Sequence, residues 1–152
     1  MDTKEVFDRQ YNRIYRIALL YLKNPADAED VSQTIFLKYL EKKPNFKNIE
    51  HEKAWFITSA KNQCKDIIKS FWNKNVDLGE IPEQESGSNS ENILPIILKL
   101  PEKYSEILYL YYYEGYKAKE ISKLLNISES TIQTRLSNGR KKLKEILEKE
   151  GY

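Results

Sequence analysis

EISKLLNISESTIQTRLSNGRKKLKEI, Glu120 to Ile146, reads as two helices joined by a tight turn. Ile121, Leu124 and Leu125 give the first helix an apolar stripe at helical spacing, and Asn126-Ile127 interrupts it. Ser128 then restarts the chain. Its hydroxyl suits an N-cap, Glu129 sits at the positive end of the new helix dipole, and Ile127 and Ile132 occupy the positions of a hydrophobic staple. From there Ile132, Leu136, Leu143 and Ile146 or Leu147 recur at three- and four-residue steps, so one face of the second helix packs inward. Gln133, Thr134, Ser137, Asn138 and Lys141 fall on the other face, with Arg135, Arg140, Lys142 and Lys144 around them. Short amides and hydroxyls reach base edges from a major groove while cations meet phosphates, so this helix is expected to read duplex DNA. Charge on a helix face by itself signals only solvation; the coincidence of turn, cap, staple and basic helix carries the reading.

The rest of the composition narrows the class. The 152 residues hold one domain or two small ones, with a net charge of +2. The charge is uneven: residues 1 to 76 carry 14 Lys/Arg against 10 Asp/Glu, residues 77 to 100 carry 1 against 5, and residues 101 to 152 carry 10 against 8. No apolar run is long enough to cross a bilayer, and the start MDTKEVFDRQ is charged where a secretion signal needs a hydrophobic core, so a cytoplasmic location without membrane insertion is expected. One cysteine, Cys64, and one histidine, His51, exclude an intramolecular disulfide and leave no set of Cys/His metal ligands, and no cofactor motif is present. With five glycines, five prolines and no convincing period of two, the fold class expected is all-α.

Taken in order, Thr3 to Leu22 forms a first helix striped by Phe7, Tyr11, Ile14, Ala18 and Leu22. Asn24-Pro25 opens a second in which Ala28, Val31, Ile35 and Tyr39 face a core while Asp27, Glu29, Asp30 and Gln33 stay outside. Glu41 to Glu50 is a polar connection. A third helix, about Glu52 to Trp72, is expected to bury Ile57, Ala60, Cys64, Ile67 or Ile68 and Phe71, and sets Lys61, Lys65 and Lys69 at four-residue steps beside Asn62 and Asp66. Trp55 and Phe56 stand at one end of it. Rings beside a lysine row suit a single-stranded nucleic-acid platform, and equally suit ordinary packing at a helix end. Asn73 to Asn92 is acidic, poor in large apolar residues and ends in Gly, Ser and Asn, the composition of a flexible tether. Helical pattern resumes at Ile93 to Leu100, and Pro101 opens a helix lined by Tyr104, Ile107, Leu108 and Tyr111 that ends near Gly115. The expected organisation is a helical bundle over residues 1–75, an acidic linker over 76–92 and a helix-turn-helix domain over 93–152.

Three segments together resemble a bacterial RNA polymerase sigma factor of the compact, extracytoplasmic-function type within the sigma-70 family. DAEDVSQTIFLKYL, Asp27 to Leu40, is similar to that family's helix that docks on core RNA polymerase; AWFITSAKNQCKDIIKS, Ala54 to Ser70, to the helix that melts and reads the −10 promoter element; and Leu100 to Glu145 to the domain that reads the −35 element. The resemblance implies polymerase contacts by Asp27, Asp30, Gln33 and Phe36, and −10 contacts by Trp55, Phe56, Lys61, Asn62, Lys65 and Lys69. It implies −35 contacts by Thr131, Gln133, Thr134, Arg135, Ser137, Asn138, Arg140 and Lys141. Thr34 stands where the family usually has an acidic residue and Lys69 where arginine is commoner. Gln133, Thr134, Ser137 and Asn138 occupy the base-reading positions, at some of which the family frequently has an arginine or aromatic, so a promoter preference does not transfer.

The implied function is promoter-specific initiation with core RNA polymerase and promoter DNA as partners, an anti-sigma factor as a further partner, and no enzymatic activity of the chain itself. The implied path of the acidic linker is through the polymerase channel. Two other readings stay open from the residues: a stand-alone helix-turn-helix regulator, and an adaptor that holds polymerase or an anti-sigma factor without initiating.

Overall fold

The computed structural model describes residues 3–74 and 94–149. The chain divides into two compact units, Met1–Pro82 and Glu83–Tyr152. The expected linker, residues 76–92, lies outside the described residues. The described residues are mostly helical, and no strand occurs among them.

In the first unit α1 (Thr3–Leu22), α2 (Pro25–Lys42) and α3 (Ile49–Lys74) pack pairwise against one another. The α1–α2 corner follows from three consecutive residues. Lys23 takes a left-handed backbone, Asn24 caps α2 by accepting hydrogen bonds from the Ala26 and Asp27 amides at 2.9 and 3.1 Å, and Pro25 occupies the first helical position. Helix α3 starts at Ile49, ahead of the expected Glu52, because Asn48 is its cap. The Asn48 side chain accepts from the His51 amide at 2.8 Å, and the His51 imidazole Nδ1 accepts in return from the Lys47 amide at 3.1 Å. The two side chains satisfy the donors of the first turn reciprocally.

The bundle core holds Ile14, Leu20, Ile35, Phe56, Ile57 and Cys64, all essentially without exposure. A carboxylate is buried with them. Glu52 on α3 is 0% exposed and takes a two-point contact from Arg9 on α1, at 2.8 and 3.1 Å, plus a hydrogen bond from Gln10 at 2.8 Å. Burial alone would push this carboxyl up; the hydrogen bonds from Arg9 and Gln10 and the charges of Arg9 and Arg13 outweigh it and hold Glu52 below the ordinary carboxylate range.

In the second unit α4 (Leu94–Ile97) is a single turn, shorter than the expected Ile93–Leu100 segment, and is followed by α5 (Glu102–Tyr112), α6 (Ala118–Leu125) and α7 (Glu129–Lys149). Helix α5 runs through the middle and touches the other three. It is buried from Tyr104 to Leu110, and Tyr111, expected in its core stripe, is half-buried. Gly115, at φ +73°, turns the chain after α5, a backbone position that any side chain would strain. The Glu120 carboxylate accepts from the Lys117 amide at 2.9 Å and fixes the start of α6. Where α7 crosses α5, Gly139 lets the helices approach: a Cβ there would lie 3.2 Å from Leu108 Cδ1.

Candidate nucleic-acid interface

The turn between α6 and α7 is built from the residues that the sequence singled out. Asn126 ends α6 in the left-handed region at φ 57°, which asparagine tolerates better than most residues. The Ser122 hydroxyl donates to the Ile127 carbonyl across the turn. Ser128 then caps α7: its oxygen accepts from the Thr131 amide at 3.3 Å, while its carbonyl accepts from Ile132 at 3.0 Å. Ile132, Leu136 and Leu143 are buried, as the period demands, and Gly139 joins them. Gln133, Thr134, Ser137, Asn138 and Lys141 all face solvent along the opposite side, and Thr131 and Arg135 are half-buried at its edge. Arg140 is exposed but not loose: its Nε donates to the Tyr112 hydroxyl at 3.0 Å and its guanidinium lies 5.0 Å from the Tyr111 ring centre. The tyrosines crowded onto α5, unassigned to any ligand by the sequence, therefore steady a cation of the neighbouring helix.

The hydrogen-bond directions restrict what this face can offer. The Thr134 hydroxyl donates back to the Ser130 carbonyl at 3.0 Å, so toward a ligand it presents an acceptor and a methyl group. Thr131 Oγ1 accepts from the Ser128 hydroxyl at 2.8 Å, which leaves its own proton available to donate.

In the first unit the structure separates the expected contact residues into two sets. Trp55 is half-buried and Asn62, Lys65 and Lys69 are exposed, all along one side of α3. Phe56, expected at the same surface, is 0% exposed; it sits in a cluster of rings with Phe36 at 5.4 Å and Tyr39 at 5.4 Å. It is a core residue, because it lies one residue, about 100° around the helix, from Trp55. Lys61 is also corrected. It is only 9% exposed, since each four-residue step turns a helix by about 40° and the lysine row spirals from the buried edge at Lys61 to open solvent at Lys69. On α2, Asp30 and Gln33 are exposed and Asp27 half-buried, while Phe36 is 7% exposed and packs on Phe7 and Phe56 instead of projecting outward. Two residues the sequence reading missed share the Asp30 and Gln33 side: Leu37 and Leu40, 61% and 45% exposed. The signal was available in the helical ladder 30, 33, 37, 40, which puts two leucines opposite Ala28, Val31 and Ile35.

Residues 6–73 match the family model described as Sigma-70 region 2, and residues 90–143 the one described as Sigma-70, region 4. The chain belongs to the sigma-70 family. Relatives of this sigma factor include the ECF RNA polymerase sigma factor SigW of Bacillus subtilis (strain 168), 27% identical with 94% of this chain and 87% of the relative covered. The ECF RNA polymerase sigma factor SigM of the same organism is 27% identical, covering 96% of this chain and 95% of the relative. Among solved structures, the sigma factor RpoE in complex with the anti-sigma factor NepR from Bartonella quintana matches with a TM-score of 0.78 at 20% identity, over 95% of this chain and 96% of that one. That likeness carries the fold. The sigma factor serves promoter-specific transcription initiation, and no helix among its described residues is long and apolar enough to cross a membrane.

Proposed function

We propose that the two units divide initiation between them, in the cytoplasm and without catalysing a reaction of their own. The first unit docks on core RNA polymerase through the exposed side of α2, where Asp30 and Gln33 stand beside Leu37 and Leu40 and Asp27 lies at the margin. Charged and amide groups next to exposed leucines supply both orientation and apolar area to a partner surface. The same unit holds separated −10 bases along Trp55, Asn62, Lys65 and Lys69. Unstacking costs a few kcal/mol per base, and stacking on a ring returns roughly 1–3 kcal/mol. With Phe56 in the core, Trp55 is the ring of this pair that can stack, so polar and phosphate contacts from Asn62 and the two lysines must supply the remainder. The second unit grips duplex DNA at the −35 element through Gln133, Thr134, Ser137, Asn138 and Lys141, with Thr131, Arg135 and Arg140 flanking.

The observation that carries this reading is the open polar face of α7, delivered by a capped turn, in a chain whose other unit exposes Asp30 and Gln33. An anti-sigma factor is a further proposed partner, since a solved structure similar to this chain is a sigma factor bound to one. Residues 76–92, with their acidic composition, are proposed to connect the units through the polymerase channel. Run-off transcription with purified core enzyme on templates selected from a randomised promoter pool tests the whole. Template-specific product is expected; binding of core with no product on any template would replace this function with that of an adaptor.

A further inference from the structure

We propose that the groove between the first turn of α5 and the first turns of α7 seats a backbone phosphate of the duplex, with Lys103 and Arg135 as its two cationic sides. This deepens the reading of the second unit as a duplex binder and rests on it. The groove has a volume of about 300 Å3 and brings Lys103 and Tyr104 of α5 together with Ser130, Thr131, Arg135 and Asn138 of α7. Among the described residues no carboxylate lines it. Lys103 lies outside the helix-turn-helix, and nothing in its local sequence marks it as a contact.

The chemistry of the lining selects an anion. Lys103 and Arg135 make no ion pair with a carboxylate among the described residues. The Lys103 ammonium sits 5.0 Å from the centre of the Tyr104 ring, which holds it near the groove without consuming its donors. The Thr131 hydroxyl has its proton free, because its oxygen already accepts from Ser128, and the Asn138 amide adds two further donors. Among the lining groups that can accept, Thr134 Oγ1 has given its own proton to Ser130. Donors therefore outnumber acceptors, and two of the donors are charged, the composition that fits a phosphodiester and not a neutral or cationic ligand. The placement agrees. The exposed face of α7 is the side offered to the major groove, and a cation projecting from the adjacent helix beside that face meets the phosphates bordering the groove, where it fixes register without reading sequence.

The experiment uses holoenzyme reconstituted from core polymerase and the full-length chain, on the selected promoter, with single methylphosphonate linkages stepped through the −35 region. Wild type should lose several-fold in affinity when one particular phosphate is neutralised. Lys103→Ala should bind several-fold more weakly, lose its sensitivity at that phosphate alone, and show a salt slope (log K against log salt) smaller by about 0.9. Its rank order among promoter sequences should be unchanged, and Lys103→Arg should restore all three readouts. Lys149→Ala, an exposed lysine at the far end of α7, controls for general charge. Unchanged affinity, slope and interference pattern in Lys103→Ala would overturn the proposal, as would a reordered sequence preference, which would make Lys103 a base reader. If instead wild type shows no sensitivity at any −35 phosphate and Asn138→Ala leaves promoter preference untouched, the duplex-binding reading itself fails.

Discussion

Single residues set the tolerance of each unit. Gly139 is enclosed by Leu108 and Tyr104, with a Cβ contact of 3.2 Å awaiting any larger residue. Valine there would force α5 and α7 apart at a buried crossing, and overpacking of this kind costs about 1–3 kcal/mol. Gly139→Val is therefore expected to lower the midpoint of thermal unfolding of the second unit, read by circular dichroism. Alanine is different: it gains about 1 kcal/mol of helix propensity over glycine and asks Leu108 to yield by a few tenths of an ångström. Glu52 gives the first unit a pH dependence with a definite sign. Its carboxyl is held below its ordinary value in the folded state, so its contribution is complete above the unfolded value, about 4.3, and is lost as pH falls through the lower folded one. Glu52→Gln, which leaves the donors of Arg9 and Gln10 poorly matched, should destabilise by about 1–3 kcal/mol near neutrality. Urea titrations at pH 7 and below pH 4 should show that gap closing on acidification; a gap that widens would contradict the sign.

At the scale of elements, the exposed side of α2 makes the next prediction. Leu37→Ala removes the most exposed leucine of a helix whose fold does not need it, so unfolding should be unchanged while affinity for core polymerase falls several-fold in a fluorescence titration. Equal affinity would take Leu37 out of the docking surface. The helices themselves were largely legible in the sequence. The ranges of α1 and α2 follow from the apolar period and from Asn24-Pro25, and the α6–α7 turn from Asn126, Ser128 and the isoleucines around them. The start of α3 was not legible, because its cap is shared between Asn48 and His51 inside a run that also holds Pro44 and reads as loop. Side-chain depth was legible only where the period is long. The family resemblance put Phe36 and Phe56 at contact surfaces, at positions where tertiary packing, a cluster of rings from all three helices, decides the matter. The role of Gly139 had a sequence signal, an isolated glycine inside a helical pattern, whose usual cause is a close approach. Lys103 had none: it becomes interesting only once α5 is laid beside α7.

For the molecule as a whole, the two units differ in more than fold. The first buries a carboxylate at Glu52 and meets solvent with leucines on α2 and an indole on α3; the second surrounds α5 with tyrosines and exposes amides and hydroxyls on α7. Both tryptophans of the chain, Trp55 and Trp72, fall in the first unit, and seven of its eleven tyrosines in the second. Trp55 stands edge-on to Phe56 at 4.9 Å, also meets the rings of Tyr39 and Phe46, and is half-buried, so part of the indole faces solvent. Light absorbed at the red edge of the aromatic band consequently reports on one half of the protein, with no dye attached. Titrating the free chain with a single-stranded oligonucleotide of the non-template −10 sequence should dim that emission if a base settles on the indole, and Trp55→Phe should abolish the dimming. Such dimming would make the ring an optical gauge of strand capture.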